Sequence, residues 1–217
     1  MDQQSGSQDP LVFSYLGLRK AVGIIGFTLP FVLALGKMLV EGPGIQSSIS
    51  RYYYTDMRNV FVGSLCAIGV FLMSCKGYDR KDEIAGYLSG YLAIGVALFP
   101  TTPDTGASSQ AKLIGTVHLM LAALLFLTFV YFSLALFTKT SPDKTPTRQK
   151  YRRNIVYRVC GYTILASIFF MLVVALPPVE KFTEWLTPVF WLESVAVVAF
   201  GVSWLTKGET ILKDEET

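Results

Sequence analysis

Charged side chains are scarce in this sequence, and their scarcity indicates its class. They make up 16% of the 217 residues, whereas hydrophobic residues make up 52% and the mean hydropathy is +0.45. A soluble globular domain carries about 25% charged residues. The composition therefore argues against an ordinary soluble domain and predicts a chain that lies mostly in an apolar solvent. The length suits one domain, residues 1–217.

Cysteine and histidine are also rare. Cys66, Cys75 and Cys160 lie in or beside apolar runs, so we expect packing thiols rather than a disulfide framework. The single histidine, His118, cannot supply a three-histidine zinc site, and no CxxC spacing offers other ligands. The sequence therefore predicts no metal and no cofactor.

Motifs of common enzymes are missing as well. The chain has no GxSxG, HExxH, P-loop or GxGxxG pattern. Seryl hydrolysis needs a base, and only His118 is available. A carboxylate pair, such as Asp56 with Glu193 or Asp104, is left open. No catalytic residue is predicted, and the sequence leans against an enzyme.

Apolar runs predict an all-α, polytopic transmembrane helix bundle with six spans. The spans are 22–40, broken by Pro30, and 56–75, 83–99, 113–137, 155–176 and 186–205. A helix that crosses the hydrocarbon needs about 20 residues. The second and third runs approach this length only when Thr55 or Asp56 caps the second helix and Asp82 caps the third.

The beginning of the chain does not read as a signal peptide. Residues 1–10 are polar and carry no Lys or Arg, and the first apolar run shows no small-residue cleavage signature. We expect this run to be retained as a membrane helix.

Basic residues predict the orientation. With the N-terminus inside, 14 of the 19 Lys and Arg residues fall in inside segments and five fall outside. Both termini are therefore expected in the cytoplasm, with residues 47–59 outside. The basic linker 138–153 is interpreted as a topology determinant that contacts anionic lipid. Nucleic acid is not an expected partner, because the run is short and no binding module is recognisable.

The most unusual stretch is 47–63, SSISRYYYTDMRNVFVG, which is polar, aromatic and charged at once. An ionisable group at membrane depth marks a candidate site. From the helical rise, Glu193 and His118 lie about 10 and 8 Å below the outer ends of their spans. We predict an outward-facing ligand pocket formed by Arg51, Tyr52, Tyr53, Tyr54, Asp56, Arg58, Asp104, His118 and Glu193.

Each of these residues also has a structural interpretation. Glu193 fits a pairing with an arginine or a hydrogen bond to a neighbouring helix, and His118 fits a packing residue. The tyrosines fit an interfacial anchor. Asp56 fits a helix cap, and Asp104 fits a turn residue.

Two further patterns bear on packing. Gly86 and Gly90 lie four residues apart on the third span, which predicts close approach of another helix. Trp185, Trp191 and Trp204 are expected near the membrane interfaces.

Four segments carry a resemblance to a known group. SISRYYYTDMRNVFVG (48–63), GYDRKDEIAG (77–86), FPTTPD (99–104) and FWLES (190–194) resemble uncharacterised bacterial multi-pass membrane proteins of the DUF998 type, over residues 15–209. Ser48-Ile49-Ser50 is more remotely similar to the Frag1/DRAM/Sfk1 type, in which this motif follows the first span. That type has an acidic residue next, where this chain has Arg51. The resemblance implies a protein of the bacterial inner membrane and no reaction; the Frag1-like type implies roles linked to membrane lipids.

Three functions are compatible with these patterns. The favoured one is binding of a lipid headgroup, small solute or ion. A pore or permeability-altering effector, such as an accessory of a defence system, is the second, and an intramembrane lipid-modifying enzyme is the third. Few polar residues lie below Glu193, which counts against a static channel unless copies of the chain assemble. The expected partners are membrane lipids and, in an oligomer, further copies of the chain.

Overall fold

A computed structural model describes residues 10–75, 79–140 and 147–212, with side chains from residue 15 onward. Within these ranges the chain is helical and contains no strand. The α-helices are α1 (Pro10–Val40), α2 (Arg58–Ser74), α3 (Arg80–Leu98), α4 (Ser109–Tyr131), α5 (Arg148–Val174), α6 (Pro177–Thr183) and α7 (Pro188–Lys207). A 3₁₀ helix, Ile49–Tyr54, precedes α2, a second, Glu184–Leu186, precedes α7, and a π-helix, Phe132–Leu136, continues α4.

Four helical segments are long and apolar enough to cross a membrane. They are Tyr15–Val40, Ser109–Leu136, Arg148–Val174 and Pro188–Lys207. Helix α2 is apolar but has 17 residues, and α3 begins with four charged residues, Arg80 to Glu83. The all-helical fold with membrane-capable helices is confirmed, whereas six spans and their orientation stay predictions.

The long helices pack in a closed sequence of neighbours. Each contacts the next in the order α1, α2, α3, α4, α5 and α7, and α7 packs back on α1. Aromatic rings fill the interior, where Phe129 of α4 stacks on Phe200 of α7 with ring centres 3.7 Å apart. Both rings are almost fully buried. The apolar core therefore holds the helix ends in fixed relative positions.

The bundle has two chemically different ends. We call the end that carries Tyr52–Tyr54 the tyrosine end, and the end that carries Lys139, Lys150, Arg153 and Lys207 the basic end. Glu193 lies near the tyrosine end of α7 and contacts Ile49 there. Lys207 closes the same helix 14 residues later, which is about 21 Å along its axis.

Glycine allows α2 and α3 to approach closely, as predicted. A Cβ atom at Gly90 would overlap the side chain of Met73 and lie 2.6 Å from the carbonyl oxygen of Gly69. One at Gly86 would lie 2.9 Å from the carbonyl oxygen of Leu72. The prediction that Gly86 and Gly90 face another helix is confirmed.

Two predicted helix caps are wrong. Asp79, not Asp82, caps α3, because the helix begins at Arg80 and only the residue before it reaches the first amides. Its Oδ1 accepts hydrogen bonds from the N–H groups of Lys81 at 2.9 Å and Asp82 at 3.0 Å. Helix α2 begins after Met57 without a side-chain cap, so Asp56 does not cap it.

Other boundaries also differ from the prediction. Pro30 lies inside α1 without ending it, because the helix is continuous on both sides and packs against α7. Helix α5 begins at Arg148, where Thr147 accepts a hydrogen bond from the N–H of Lys150, so the end of the predicted linker is helical. Residues 141–146 of that linker lie outside the described residues.

The tryptophans divide between surface and core. Trp185 and Trp191 are exposed, whereas Trp204 is 2% exposed and contacts Phe132 and Phe137. Trp204 is thus a core residue rather than a lipid-facing one, because the π-helix and the residue after it bring two aromatic rings over its indole. Its position near a membrane interface stays a prediction.

Candidate functional site

The 3₁₀ helix Ile49–Tyr54 positions most of the predicted site residues. Ser48 caps it by accepting a hydrogen bond from the N–H of Arg51 at 3.2 Å. Ile49 and Ser50 are buried, and Tyr52 is fully buried with its ring 6.1 Å from that of Phe190. Tyr53 is partly buried and packs against the core, whereas Tyr54 is 48% exposed. Tyr52 is thus part of the core rather than of an open pocket.

Glu193 anchors this helix to α7. Its Oε2 accepts a hydrogen bond from the N–H of Ile49 at 2.6 Å, and the N–H of Ser50 is also near the carboxylate. The first N–H groups of a helix have no partner within the helix, and a carboxylate satisfies them well. Within the described part of the chain, neither His118 nor an arginine is a hydrogen-bond partner of Glu193. Its observed role is structural.

His118 has a separate partner. Its Nδ1 donates to the carbonyl oxygen of Phe99 at 2.6 Å, which fixes the proton on Nδ1, and the carbonyl of Val96 is also near. His118 is 4% exposed. It therefore joins α4 to the carbonyl groups that the end of α3 leaves without partners.

The two arginines of the stretch point to different places. Arg51 forms an ion pair with Asp104 at 2.5 Å, and this pair links the 3₁₀ helix to the connection between α3 and α4. The hydroxyl of Tyr54 donates to the carbonyl oxygen of Thr101 in the same connection at 2.5 Å. Asp104 is thus the partner of Arg51 and lies in a bend of that connection.

Arg58 instead lies over Tyr53. Its guanidinium carbon is 4.2 Å from the ring centre, and its Nη2 donates to the Tyr53 hydroxyl at 2.5 Å. The ring of Tyr54 meets that of Tyr53 edge-on with centres 5.4 Å apart. Arg58 has no ion-pair partner among the residues that the structure describes.

These side chains line an open cavity of about 500 Å³ at the tyrosine end. We call it the tyrosine pocket; its lining residues are Glu41, Tyr53, Tyr54, Thr55, Asp56 and Arg58. Four of the nine predicted site residues thus line one cavity. The other five hold the 3₁₀ helix or the helix ends in place.

Sequence reasoning missed Glu41. Its Oε1 accepts a hydrogen bond from the backbone N–H of Asp56 at 2.5 Å, which ties the end of α1 to the segment before α2. The available signal was its position, since it is the only acidic residue between the first apolar run and the stretch 47–63.

The pocket combines donors, carboxylates and aromatic faces. Burial raises the pKa of the Tyr54 hydroxyl above its ordinary value, so this hydroxyl is protonated at neutral pH and donates. Glu41 and Asp56 supply negative charge, and Arg58 supplies positive charge. Such a set suits a ligand that carries both signs of charge.

Two other cavities are mainly apolar. One of about 50 Å³ lies in the core beside Glu193, Phe129 and Phe200. The other, of about 430 Å³, is a groove between α3 and α4 with Lys81 among its lining residues. Within ranges 10–75, 79–140 and 147–212, no group of three or more His, Cys, Asp or Glu residues is placed to hold a metal ion.

No protein-family model matches the chain, and neither a curated protein nor a solved structure matches it significantly. The resemblance to the DUF998 and Frag1-like types stays a prediction.

Proposed function

We propose that this chain is a six-span protein of the bacterial inner membrane whose tyrosine pocket faces outward and binds a zwitterionic phospholipid headgroup. The observation that carries the proposal is the position of Arg58. It lies beside two tyrosine rings and two carboxylates in one open cavity and makes no ion pair with a described residue.

The pocket fits a headgroup with an ammonium and a phosphate. Carboxylates and aromatic faces attract ammonium groups. Glu41 and Asp56 supply the carboxylates here, and the tyrosine rings supply the aromatic faces. An arginine with a nearby hydroxyl donor binds phosphate oxygens. Arg58 and the Tyr53 hydroxyl form such a pair. A lipid would place the phosphate on Arg58 and the ammonium towards Glu41.

The adjoining surface suits acyl chains. At the end of α1, next to Glu41, Leu35, Leu39 and Val40 are 60%, 86% and 64% exposed. In a membrane these side chains contact lipid. A lipid whose headgroup occupies the pocket would extend its chains along this face of α1.

Helix length supports six spans. Helix α2 has 17 residues and α3 has 19, which correspond to about 26 and 29 Å. The hydrocarbon core of a bilayer is about 30 Å thick. The two helices pack together along their length, so they fit a hairpin that crosses and returns.

Native mass spectrometry of the purified protein in detergent tests the function. Phosphatidylethanolamine should bind more tightly than phosphatidylglycerol, which lacks the ammonium. Arg58→Gln and Glu41→Gln should each weaken this binding about tenfold, the value of one charge-assisted hydrogen bond. Lys112→Gln and Glu180→Gln are matched controls, since both residues are exposed at the same end and do not line the pocket.

The outcomes separate the candidate ligands. Equal binding of phosphatidylglycerol, or pocket variants that bind like the controls, would contradict the proposal. If water-soluble phosphoethanolamine bound as tightly as the lipid, the ligand would be a small solute rather than a membrane lipid.

A further inference from the structure

A groove of about 430 Å³ lies between α3 and α4, and we call it the α3–α4 groove. Buried residues line its inner side, namely Ala85 and Leu92 of α3 and Thr128 of α4. The Thr128 hydroxyl donates to the carbonyl oxygen of Leu125 at 2.7 Å, so its polar group is satisfied within its own helix. The inner side of the groove is therefore apolar.

Apolar side chains that are about half exposed border the same groove. They are Ile84 and Leu88 of α3 and Leu124 and Leu127 of α4, with exposed fractions between 50% and 56%. Concave sites with mainly apolar walls and a few polar groups are typical of ligand-binding pockets. A hydrocarbon chain complements such walls, because it brings no polar group that would lose its hydrogen bonds there.

The α3–α4 groove extends over the depth of one membrane leaflet. Its lining residues on α3 run from Lys81 to Leu92, a separation that corresponds to about 16 Å along the helix. The hydrocarbon core of a bilayer is about 30 Å thick, so one leaflet contributes about 15 Å. An acyl chain of one leaflet therefore matches the groove in length as well as in polarity.

Two polar side chains lie at the end of the groove where α3 begins and α4 ends. Lys81 is in the first turn of α3 and Tyr131 is the last residue of α4, and both are exposed. Among the described residues, Lys81 forms no ion pair and the Tyr131 hydroxyl forms no hydrogen bond. Asp79 and Asp82, which flank Lys81 in the sequence, pair with Lys139 at 3.1 and 2.6 Å. This end thus offers a positive charge and a hydroxyl beside an apolar surface.

We infer that the α3–α4 groove binds an anionic phospholipid, with one acyl chain along the groove and the phosphate at Lys81 and Tyr131. Lysine binds phosphate as a point charge, and a tyrosine hydroxyl donates to a phosphate oxygen. Anionic lipids are characteristic of the cytoplasmic leaflet, and the count of basic residues predicts this end on that side. Glu83, the other carboxylate in the first turn of α3, does not line the groove.

Native mass spectrometry of the full chain in detergent, titrated with phosphatidylglycerol, tests the headgroup contact. Lys81→Gln should weaken binding about fivefold, the value of one basic residue beside anionic lipid. Arg80→Gln is the matched control, because it removes the same charge from an exposed neighbour that does not line the groove. Equal losses in the two variants would indicate attraction without a defined site and would overturn the inference.

A second pair of variants tests the acyl chain. Leu127→Trp places a larger side chain in the groove and should weaken binding about tenfold, the value of roughly two buried CH₂ groups. Leu119→Trp is the matched control, since Leu119 is exposed on the same helix but does not line the groove. Equal losses in the two tryptophan variants would overturn the inference. If Leu127→Trp fails to fold, the comparison of Lys81→Gln with Arg80→Gln decides the result.

Other occupants give different results. Water-soluble glycerophosphoglycerol should bind much more weakly than phosphatidylglycerol, and equal binding would overturn the inference because the acyl chain would contribute nothing. If Leu127→Trp converted a dimer into monomers and left lipid binding unchanged, the occupant would be a second copy of the chain, which would also overturn it.

The inference rests on the membrane placement of α3 in the proposed six-span arrangement, but not on the tyrosine pocket. Binding that is lost in Arg58→Gln belongs to the tyrosine pocket, and binding that is lost in Lys81→Gln belongs to the α3–α4 groove. Labelling of Tyr78→Cys in intact cells would contradict the six-span arrangement and this inference together. Protection of Tyr78→Cys, with unchanged phosphatidylglycerol binding in Lys81→Gln, would contradict this inference alone.

Discussion

Glu193 on α7 accepts a hydrogen bond at 2.6 Å from the backbone N–H of Ile49, 144 residues earlier in the chain. The bond fixes the start of the 3₁₀ helix against the bundle. The end of this helix carries Tyr53 and Tyr54, which line the tyrosine pocket. Glu193 therefore holds in place the helix that forms part of the pocket, but it does not line the pocket itself.

Replacing Glu193 tests this supporting role. Glu193→Ala should lower the free energy of unfolding by about 1–3 kcal/mol, because it leaves the buried N–H of Ile49 without an acceptor. Glu193→Gln keeps an acceptor oxygen and should cost less. Thermal unfolding in detergent measures both, with the exposed Glu180→Ala as control. Equal losses in the alanine and glutamine variants would show that the hydrogen bond is not what Glu193 contributes.

The contact between α2 and α3 gives a second prediction. Gly90→Ala should destabilise the bundle by about 1–3 kcal/mol, because its Cβ would press on Met73 and on the Gly69 carbonyl. Gly63→Ala is the matched control, since Gly63 also lies in a helix of this pair and nothing lies within 4 Å of its added Cβ. Alanine favours helix there, so stability should be unchanged or rise. If both variants unfold at one temperature, the close packing does not limit stability.

Features that depend on neighbouring residues in the sequence were predicted better than features that depend on contacts between distant segments. The helices and the close contact at Gly86 and Gly90 depend on apolar runs and local spacing, so the sequence predicts them. The cap of α3 was not predicted, because the helix begins at Arg80 instead of residue 83, so Asp79 rather than Asp82 reaches the first amides. The burial of Trp204 arises from the π-helix that follows α4, and the sequence pattern does not reveal such a helix.

The candidate site shows the same division. Local pattern brought Tyr53, Tyr54, Asp56 and Arg58 together correctly. Depth along a helix did not predict the partner of Glu193, because rotation about the helix axis decides whether a side chain meets another side chain or a backbone amide. The hydrogen-bond partner of Glu193 is a backbone group of another segment, the N–H of Ile49.

The ion pair of Asp79 with Lys139 predicts a pH dependence. Lys139 donates a hydrogen bond to Asp79, and the N–H groups of Asp82 and Lys81 add to it, so the pKa of Asp79 lies below its ordinary value. A carboxyl group whose pKa is lower in the folded than in the unfolded protein stabilises the fold at pH values above its unfolded-state pKa of about 4. This stabilisation is lost as the pH falls through the folded-state pKa. The thermal midpoint of unfolding should therefore decrease when the pH is lowered below about 4.

Lys139→Gln should make that acid decline shallower, because Asp79 then loses its main partner. The effect is modest, since the pair is exposed to solvent. Thermal midpoints between neutral and acid pH measure it. Lys81→Gln serves as control, because Lys81 is exposed at the same end. Superimposable pH profiles for Lys139→Gln and the parent would refute a contribution of this pair.

Cysteine labelling in cells decides the number and direction of the spans. With Cys66, Cys75 and Cys160 replaced by alanine, a membrane-impermeant maleimide should label Ser47→Cys in intact cells. Thr145→Cys and Leu212→Cys should react only after permeabilisation, because 14 of 19 basic residues lie on that side. Outside labelling of Thr145→Cys or Leu212→Cys, or none of Ser47→Cys, would reverse the orientation.

Tyr78→Cys separates six spans from four. If α2 and α3 cross the membrane, the connection between them is inside and Tyr78→Cys is protected in intact cells. If only the four long apolar segments cross, α2 and α3 stay on the outer side and this cysteine is labelled. Protection is expected, because α2 and α3 together expose a mainly apolar surface that includes Val70, Leu88, Tyr91 and Leu98. An outer aqueous phase would leave that surface in water, whereas hydrocarbon solvates it.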